Sequence, residues 1–165
     1  MAYKRNKQFI AEHMKTLGLP TPGFHIIKIT GFEDNEDKDR YELTAKIIPP
    51  HDKITGDGVE FQWTQKYVGK PEYWANRILN CLKPEETKGG QLKLHTSIGM
   101  VRKVNIKYWK TDDGQTRVNV YFIADDHGRR PAPITDEELK WLNEDDFDPR
   151  YLPDPDTADD THHTI

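Results

Sequence analysis

Residues 101–124 read VRKVNIKYWKTDDGQTRVNVYFIA, and apolar and polar side chains alternate along this stretch on both sides of a glycine. Two runs with a period of two, separated by the tripeptide DDG at 112–114, predict a β-hairpin. A three-residue loop with Gly114 in the left-handed conformation pairs Trp109 with Arg117. A two-residue turn would place the polar face of one strand on the core face of the other. The sequence therefore predicts the three-residue loop.

The predicted hairpin has an apolar face and an outer face that combines cations with aromatic rings. Grooves of this kind bind single-stranded nucleic acids, because lysine and arginine contact the backbone while bases stack on the rings. We therefore predict nucleic-acid contacts on the outer face. The predicted contact residues there are Lys103, Lys107, Trp109, Arg117 and Tyr121. The alternative is a solvated face whose lysines serve solubility, with Trp109 packed against a helix near the N-terminus.

Length and composition predict one domain with some appended sequence. Of the 165 residues, 32% are charged and 35% are hydrophobic, so part of the chain is expected to stay outside a core. Cys81 is the one cysteine, which leaves no internal disulfide. No apolar run approaches membrane-spanning length, and the N-terminus lacks the apolar segment of a signal peptide. We expect a soluble cytoplasmic protein.

The net charge of −4 hides an asymmetry along the chain. Residues 1–130 hold 22 Lys and Arg against 17 Asp and Glu, or +5, whereas residues 131–165 hold 2 against 11, or −9. We predict that residues 131–165 form an acidic, largely disordered tail with a short helix at 135–147. Trp141 and Phe147 in this tail are predicted to bind protein partners, because a purely solubilising tail gains nothing from aromatic side chains.

The remaining pattern predicts a mainly β protein with helices, of the α+β class. In chain order, the predicted elements are a helix at 6–17 within an N-terminal extension (1–22), strands at 24–30, 40–48 and 59–68, a helix at 71–82 and the hairpin. On the third strand, Phe61 and Trp63 alternate with polar residues and are predicted to lie in the core, while Tyr67 is left open. Lys46 and Lys66 have the opposite parity and are predicted to contact phosphates.

Three strands, a helix and two further strands resemble the order of the OB-fold, a small five-stranded Greek-key barrel that commonly binds oligonucleotides. The body at 23–126, followed by an acidic tail, resembles single-stranded-DNA-binding proteins, particularly those that bacteriophages encode near their recombination and replication genes. The features that carry the resemblance are the strand at 59–68, the helix at 71–82 and the segment SIGMVRKV at 97–104 that leads into the hairpin.

The resemblance implies an OB-fold-like domain at 23–130 that binds single-stranded DNA without sequence preference during replication or recombination. Binding of RNA is left open, and the tail is implied to recruit replication or recombination proteins. Two features depart from the family. The loop at 33–39 is strongly acidic where a DNA-gripping loop would be neutral or basic, and the chain ends in HHTI without an aromatic or Pro-Phe tip.

The sequence gives little support for catalysis, and we predict neither a cofactor nor a metal. Cys81 lies in an apolar helix, the seven histidines have no zinc spacing, and the loop at 34–39 lacks the glycine and terminal glutamate of a calcium loop. Two alternatives remain. One is a protein–protein module, such as a phage inhibitor of a host enzyme with a DNA-mimicking tail. The other is a metal enzyme that uses Asp125, Asp126 and a histidine.

Overall fold

The computed structural model describes residues 19–48, 60–140, 142 and 149–153. In chain order the elements are β1 (Gly23–Asn35), β2 (Arg40–Ile48), β3 (Glu60–Lys66), α1 (Glu72–Leu82), β4 (Glu85–Glu86), β5 (Leu92–Lys93), β6 (Val101–Lys110), β7 (Thr116–Phe122), β8 (Ala124–Asp125), β9 (Arg130–Pro131) and α2 (Asp136–Leu139). The chain is mainly β with a few helices, which confirms the predicted α+β class. No helix in the described ranges is long and apolar enough to cross a membrane. The predicted helix at 6–17 lies outside the described residues.

The hairpin of β6 and β7 has the predicted register. Trp109 lies opposite Arg117, and the loop is closed by the backbone hydrogen bond from Thr111 N to Gln115 O, 2.8 Å long. Gly114 has a φ of 85°, the left-handed conformation that this loop requires. The inward and outward faces of both strands therefore match the alternation in the sequence.

The five long strands form one antiparallel sheet in the order β3-β2-β1-β6-β7. β1 lies at the centre and pairs with β2 on one side and with β6 on the other. Its pairing with β2 shifts between Ile29 and Gly31, and such a bulge bends a strand and increases its twist. A side chain at position 31 would collide with Thr44 Oγ1, so glycine lets the two strands approach at the bend.

The main core lies between the concave face of the sheet and α1. From the sheet it contains the alternating residues Ile27, Ile29, Leu43, Ala45, Ile47, Phe61, Trp63, Val104, Ile106, Val120 and Phe122. The helix contributes Ala75, Ile78, Cys81 and Leu82. The rings of Phe61 and Trp63 stack with centroids 5.2 Å apart, and both are buried, which confirms their predicted place in the core. Cys81 is likewise a small core residue.

We expected a closed five-stranded barrel, but the sheet is open. β3 and β7 are its two edges, and in the described part of the chain no backbone hydrogen bond joins them. Trp63 of β3 and Phe122 of β7 pack against each other with ring centroids 6.4 Å apart. Side chains thus meet across the gap between the two edges, but the strands themselves are not paired. A seam therefore remains along the sheet.

The described residues after 130 pack on the body, where we expected a largely disordered tail. Ile134, Leu139, Leu142 and Leu152 cover Ile26, Ile48 and Val101 on the convex face of the sheet and form a second apolar cluster. Within the predicted helix at 135–147, the described residues form the turn α2, which starts with a capping box between Thr135 and Glu138. The folded body thus extends at least to Pro153. Trp141 and Phe147 lie outside the described residues.

Buried Arg102 joins three parts of this structure. Its Nε donates to Cys81 O near the end of α1 at 2.7 Å, and its Nη1 donates to Tyr151 O at 2.7 Å. The guanidinium therefore connects α1, β6 and the C-terminal segment through backbone carbonyls. A buried cation without acceptors is costly, so the fold requires each of these carbonyls to stay in hydrogen-bonding position.

Glu138 fixes α2 to β6 through an ion pair with Lys103. Burial alone would raise the pKa of Glu138, but Lys103 and hydrogen bonds from Thr135 outweigh burial and hold the pKa below 4.5. A lowered folded-state pKa stabilises the fold above the unfolded-state pKa, and this stabilisation is lost as the pH falls through the folded value.

Glu138→Gln keeps the capping box but removes the charge, since glutamine also serves at this capping position. We expect the variant to be less stable than the parent at pH 7, and the difference to vanish in acid. Urea midpoints between about pH 2 and 7 measure this, because the stabilisation starts to fall near the unfolded-state pKa of about 4.3 and is lost below the lower folded-state value. Glu137→Gln, in the same turn and exposed, is the control. A difference that persists in acid would contradict the ion-pair explanation.

Candidate nucleic-acid interface

The seam between β3 and β7 opens into a cleft of about 670 Å³, here called the seam cleft. Its lining contains the cations Arg40, Lys66 and Arg117 and no carboxylate side chain. Arg40 Nη2 is paired with Glu42 at 2.9 Å, whereas Lys66 and Arg117 form no ion pair within the described residues. The cleft is therefore positively charged where two strand edges face each other.

Trp109 also lines the seam cleft and is 48% exposed. Its position is set by Asn119 on the neighbouring strand. With its amide oriented to suit the surrounding donors, Asn119 Oδ1 accepts from Trp109 Nε1 at 2.6 Å and from the Tyr121 hydroxyl at 3.2 Å. One amide thus holds two aromatic side chains of the predicted site in fixed positions.

A second cleft of about 440 Å³ lies between α1 and the strands β6 and β7, and we call it the helix cleft. Its lining includes Lys107 and Tyr121 from the sheet and Trp74 and Arg77 from the helix. The rings of Trp74 and Tyr121 meet edge to face at 4.8 Å, and Lys107 Nζ lies 5.7 Å from the Tyr121 ring centroid. Cations and aromatic rings therefore both line this cleft, as they line the seam cleft.

Trp74 and Arg77 were not among the predicted contacts. The periodicity of α1 assigned Trp74 to the apolar side of the helix, yet it is only half-buried and outside the main core. The sequence did contain a signal for a cation–aromatic cluster on the helix. Arg77 follows Trp74 by three positions and Tyr73 by four. Residues at these spacings are neighbours on a helix surface.

Two predicted contacts lie away from both clefts. Lys103 is paired with Glu138 beneath α2, and only 12% of its side chain is exposed. Its Nζ lies 5.8 Å from the ring centroid of Phe24. Lys46 is exposed on the convex face, opposite Lys28 and Glu60 in the two neighbouring strands. The clefts therefore bring together five of the seven predicted basic and aromatic residues: Lys66, Lys107, Trp109, Arg117 and Tyr121.

The acidic loop between β1 and β2 lies at the end of β3 but lines neither cleft. Tyr67 anchors it, since the Tyr67 hydroxyl donates to Asp34 Oδ1 at 2.9 Å and Tyr67 N donates to Asp39 O at 3.1 Å. Burial and the carboxylate of Asp34 raise the pKa of Tyr67 to about 12. The loop is therefore held to the sheet by a neutral phenol.

The Cys81 thiol is buried in the core. Burial raises the pKa of the Cys81 thiol to about 11, so the reactive thiolate is scarce at neutral pH. In the described part of the chain, no three histidine, cysteine, aspartate or glutamate residues lie close enough together to hold a metal ion. The clefts instead present cations and exposed rings.

No protein-family profile, curated protein or solved structure matches the chain. The chemistry of the two clefts must therefore carry any inference about function.

Proposed function

We propose that the protein binds single-stranded DNA without sequence preference and acts in DNA replication or recombination. The observation that carries this proposal is the seam cleft, whose lining combines Lys66, Arg117 and half-exposed Trp109 with no carboxylate side chain. Cationic grooves that follow the backbone, with rings on which bases stack, are the common features of such binding. The presence of both groups in one cleft supports this function over general solubility.

The strand order adds support from the fold. An OB-fold barrel opened between its third and fifth strands would have the order third, second, first, fourth, fifth, which matches β3-β2-β1-β6-β7. We therefore interpret the sheet as an OB-fold with an open seam. OB-folds often bind oligonucleotides with the loops between strands one and two and between strands four and five. Here the first loop is acidic, so the proposed path uses the seam and the β6–β7 hairpin.

A single strand suits the clefts better than a duplex. Stacking on Trp109 requires a base whose face is free, and in a duplex both faces are covered by neighbouring bases. Lys66 and Arg117 on the two walls of the seam cleft are available to phosphates on either side of such a base. The ribose 2′-hydroxyl is not addressed by these contacts, so RNA is expected to compete for the same path.

Salt dependence tests the proposal. If Arg77, Lys66, Lys107 and Arg117 each meet one phosphate, the log–log slope of affinity against salt should be about −3 for an oligothymidylate. Arg117→Ala should make the slope shallower by about 0.7. Lys88→Ala, an exposed lysine outside both clefts, is the matched control and should leave the slope unchanged.

Fluorescence anisotropy of a labelled oligothymidylate measures the affinity and its salt slope. Unlabelled duplex, added as a competitor, measures the preference for single strands. Tighter binding to duplex, affinity that is insensitive to salt, or no binding at low salt would each contradict the proposed function. Lys46→Ala, on the convex face away from both clefts, should leave the slope unchanged in the same assay.

A further inference from the structure

An aromatic cluster on α1 is left unexplained by the packing of the core. The helix buries Ala75, Ile78, Cys81 and Leu82, whereas the adjacent Tyr73 is 54% exposed. The rings of Tyr73 and Trp74 meet edge to face at 5.0 Å, and Trp74 continues the contact to Tyr121. Three rings therefore form a continuous row from the helix to the sheet. Tyr73 is exposed, and Trp74 and Tyr121 are partly exposed. Contiguous apolar surface that is left accessible marks binding sites.

Arg77 is held against this row in an unusual way. Its guanidinium carbon lies 4.9 Å from the Trp74 ring centroid and 5.2 Å from that of Tyr73, and Nη2 donates to the Tyr73 hydroxyl at 2.5 Å. Its buried Nε has no hydrogen-bond partner among the described residues. A buried donor without an acceptor costs about 1–3 kcal/mol. The Arg77 guanidinium lines the helix cleft, and phosphate is the anion that guanidinium binds with two parallel hydrogen bonds.

The row is connected to the seam cleft. Asn119 holds Trp109 of the seam cleft and Tyr121 of the helix cleft through the same amide oxygen. Trp109 and Tyr121 are therefore neighbours, and the Tyr121 ring in turn meets Trp74 at 4.8 Å. Aromatic side chains thus connect the seam cleft to α1.

We infer that Trp74, Tyr121 and Arg77 form a second subsite for an unstacked nucleobase and its phosphate, so that a bound strand crosses β7 from the seam cleft to α1. The inference rests on the proposed function, and it assigns to α1 a direct part in binding. Trp74 and Tyr121 supply the stacking surfaces, while Arg77 and Lys107 bind phosphate oxygens. The helix thereby lengthens the path beyond the sheet.

A length series of oligothymidylates tests the second subsite. Site sizes of about 4–16 nucleotides per OB-fold set the range. For the parent chain, affinity should rise as the oligomer becomes long enough to reach α1. Trp74→Leu should weaken binding of the longer oligomers by about 5- to 150-fold, the loss of one stack, and leave the shortest oligomer unchanged.

Arg77→Lys provides a second variant that keeps the charge. It should weaken only the longer oligomers, by about threefold, because lysine lacks the planar guanidinium that stacks and binds bidentately. The salt slope and the melting temperature should stay at their parental values, which a merely structural role for Arg77 would not produce. Asn76→Ala, exposed on the same helix, is the matched control and should bind like the parent.

The outcomes separate the two proposals. If the parent chain binds no single strand of any length, both the proposed function and the second subsite fail. If the parent binds but Trp74→Leu and Arg77→Lys match it at every length, the second subsite alone fails. If the variants weaken all lengths equally, the cluster does not act as a separate subsite, and the inference is overturned in that case as well.

Discussion

A chain that ends at Arg130 is expected to lose on the order of 5 kcal/mol of folding free energy. Ile134, Leu139, Leu142 and Leu152 would no longer cover the convex face of the sheet. Burial of a large aliphatic side chain contributes about 1.5–3 kcal/mol before the entropy of ordering the segment is subtracted. Arg102 would also lose Tyr151 O, one of its acceptors. Since domains are stable by about 5–15 kcal/mol, this loss is enough to unfold a marginal one.

A chain that ends at Pro153 is the matched control, because it keeps both the apolar cluster and the Tyr151 carbonyl. Its urea midpoint, followed by circular dichroism, should equal that of the full chain. Residues 154–165 hold four aspartates and neither lysine nor arginine, so this truncation takes the net charge from −4 to 0. We therefore expect it to bind single strands more tightly than the full chain, most clearly at low salt. A cooperative, equally stable chain ending at Arg130 would contradict the role given to the second cluster.

The hairpin could be predicted in detail because two independent constraints agree. The alternation fixes which side chains point inward, and Gly114 fixes the loop type, so only one register satisfies both. Tertiary contacts did not change this register, and Trp109 lies opposite Arg117 as predicted. Where a local pattern and a backbone requirement coincide in this way, sequence alone is sufficient.

The composition of residues 131–165 did not predict that the segment packs on the body, because composition is averaged over the whole segment and hides a few apolar residues. Its apolar residues are widely spaced among many acids, which resembles a solvated tail. The face of the sheet that this segment covers could nevertheless be recognised from the sequences of β1 and β2. Adjacent apolar pairs, Ile26-Ile27 and Ile47-Ile48, break the alternation of a sheet with one wet face. Both members of each pair are buried, one in each cluster, so the sheet has a covered convex face.

Lys103 and Lys107 show that the parity of a residue along a strand does not determine what its side chain contacts. Lys103 and Lys107 lie on the same strand with the same parity, and we predicted the same role for both. They are four positions apart, yet Lys103 is paired with Glu138 of α2 whereas Lys107 lines the helix cleft. Parity determines the face of a sheet, whereas the neighbours of a position depend on segments far away in sequence. The open seam could not be predicted for the same reason, because it depends on how β3 and β7, which are distant in sequence, meet in space.

Trp109→Ala is expected to weaken single-strand binding by about 1–3 kcal/mol, the contribution of one base stack, which corresponds to roughly 5- to 150-fold in affinity. Stability should change by less than about 0.5 kcal/mol, since surface substitutions rarely cost more and nearly half of the side chain is exposed. Trp109→Phe keeps a stacking surface and should recover much of the affinity. Oligothymidylate anisotropy and urea unfolding on the same samples measure the two effects.

Trp63 provides the contrast, because it is a second tryptophan that lines the same cleft but is only 3% exposed. Trp63→Ala should cost about 3–5 kcal/mol of stability, as removal of a large core aromatic does. The two substitutions therefore separate stacking on a ligand from packing in the core. If Trp109→Ala destabilises the fold like Trp63→Ala, the ring belongs to the core. If it affects neither stability nor affinity, any binding at the seam is electrostatic, carried by Lys66 and Arg117, and bases do not stack on Trp109.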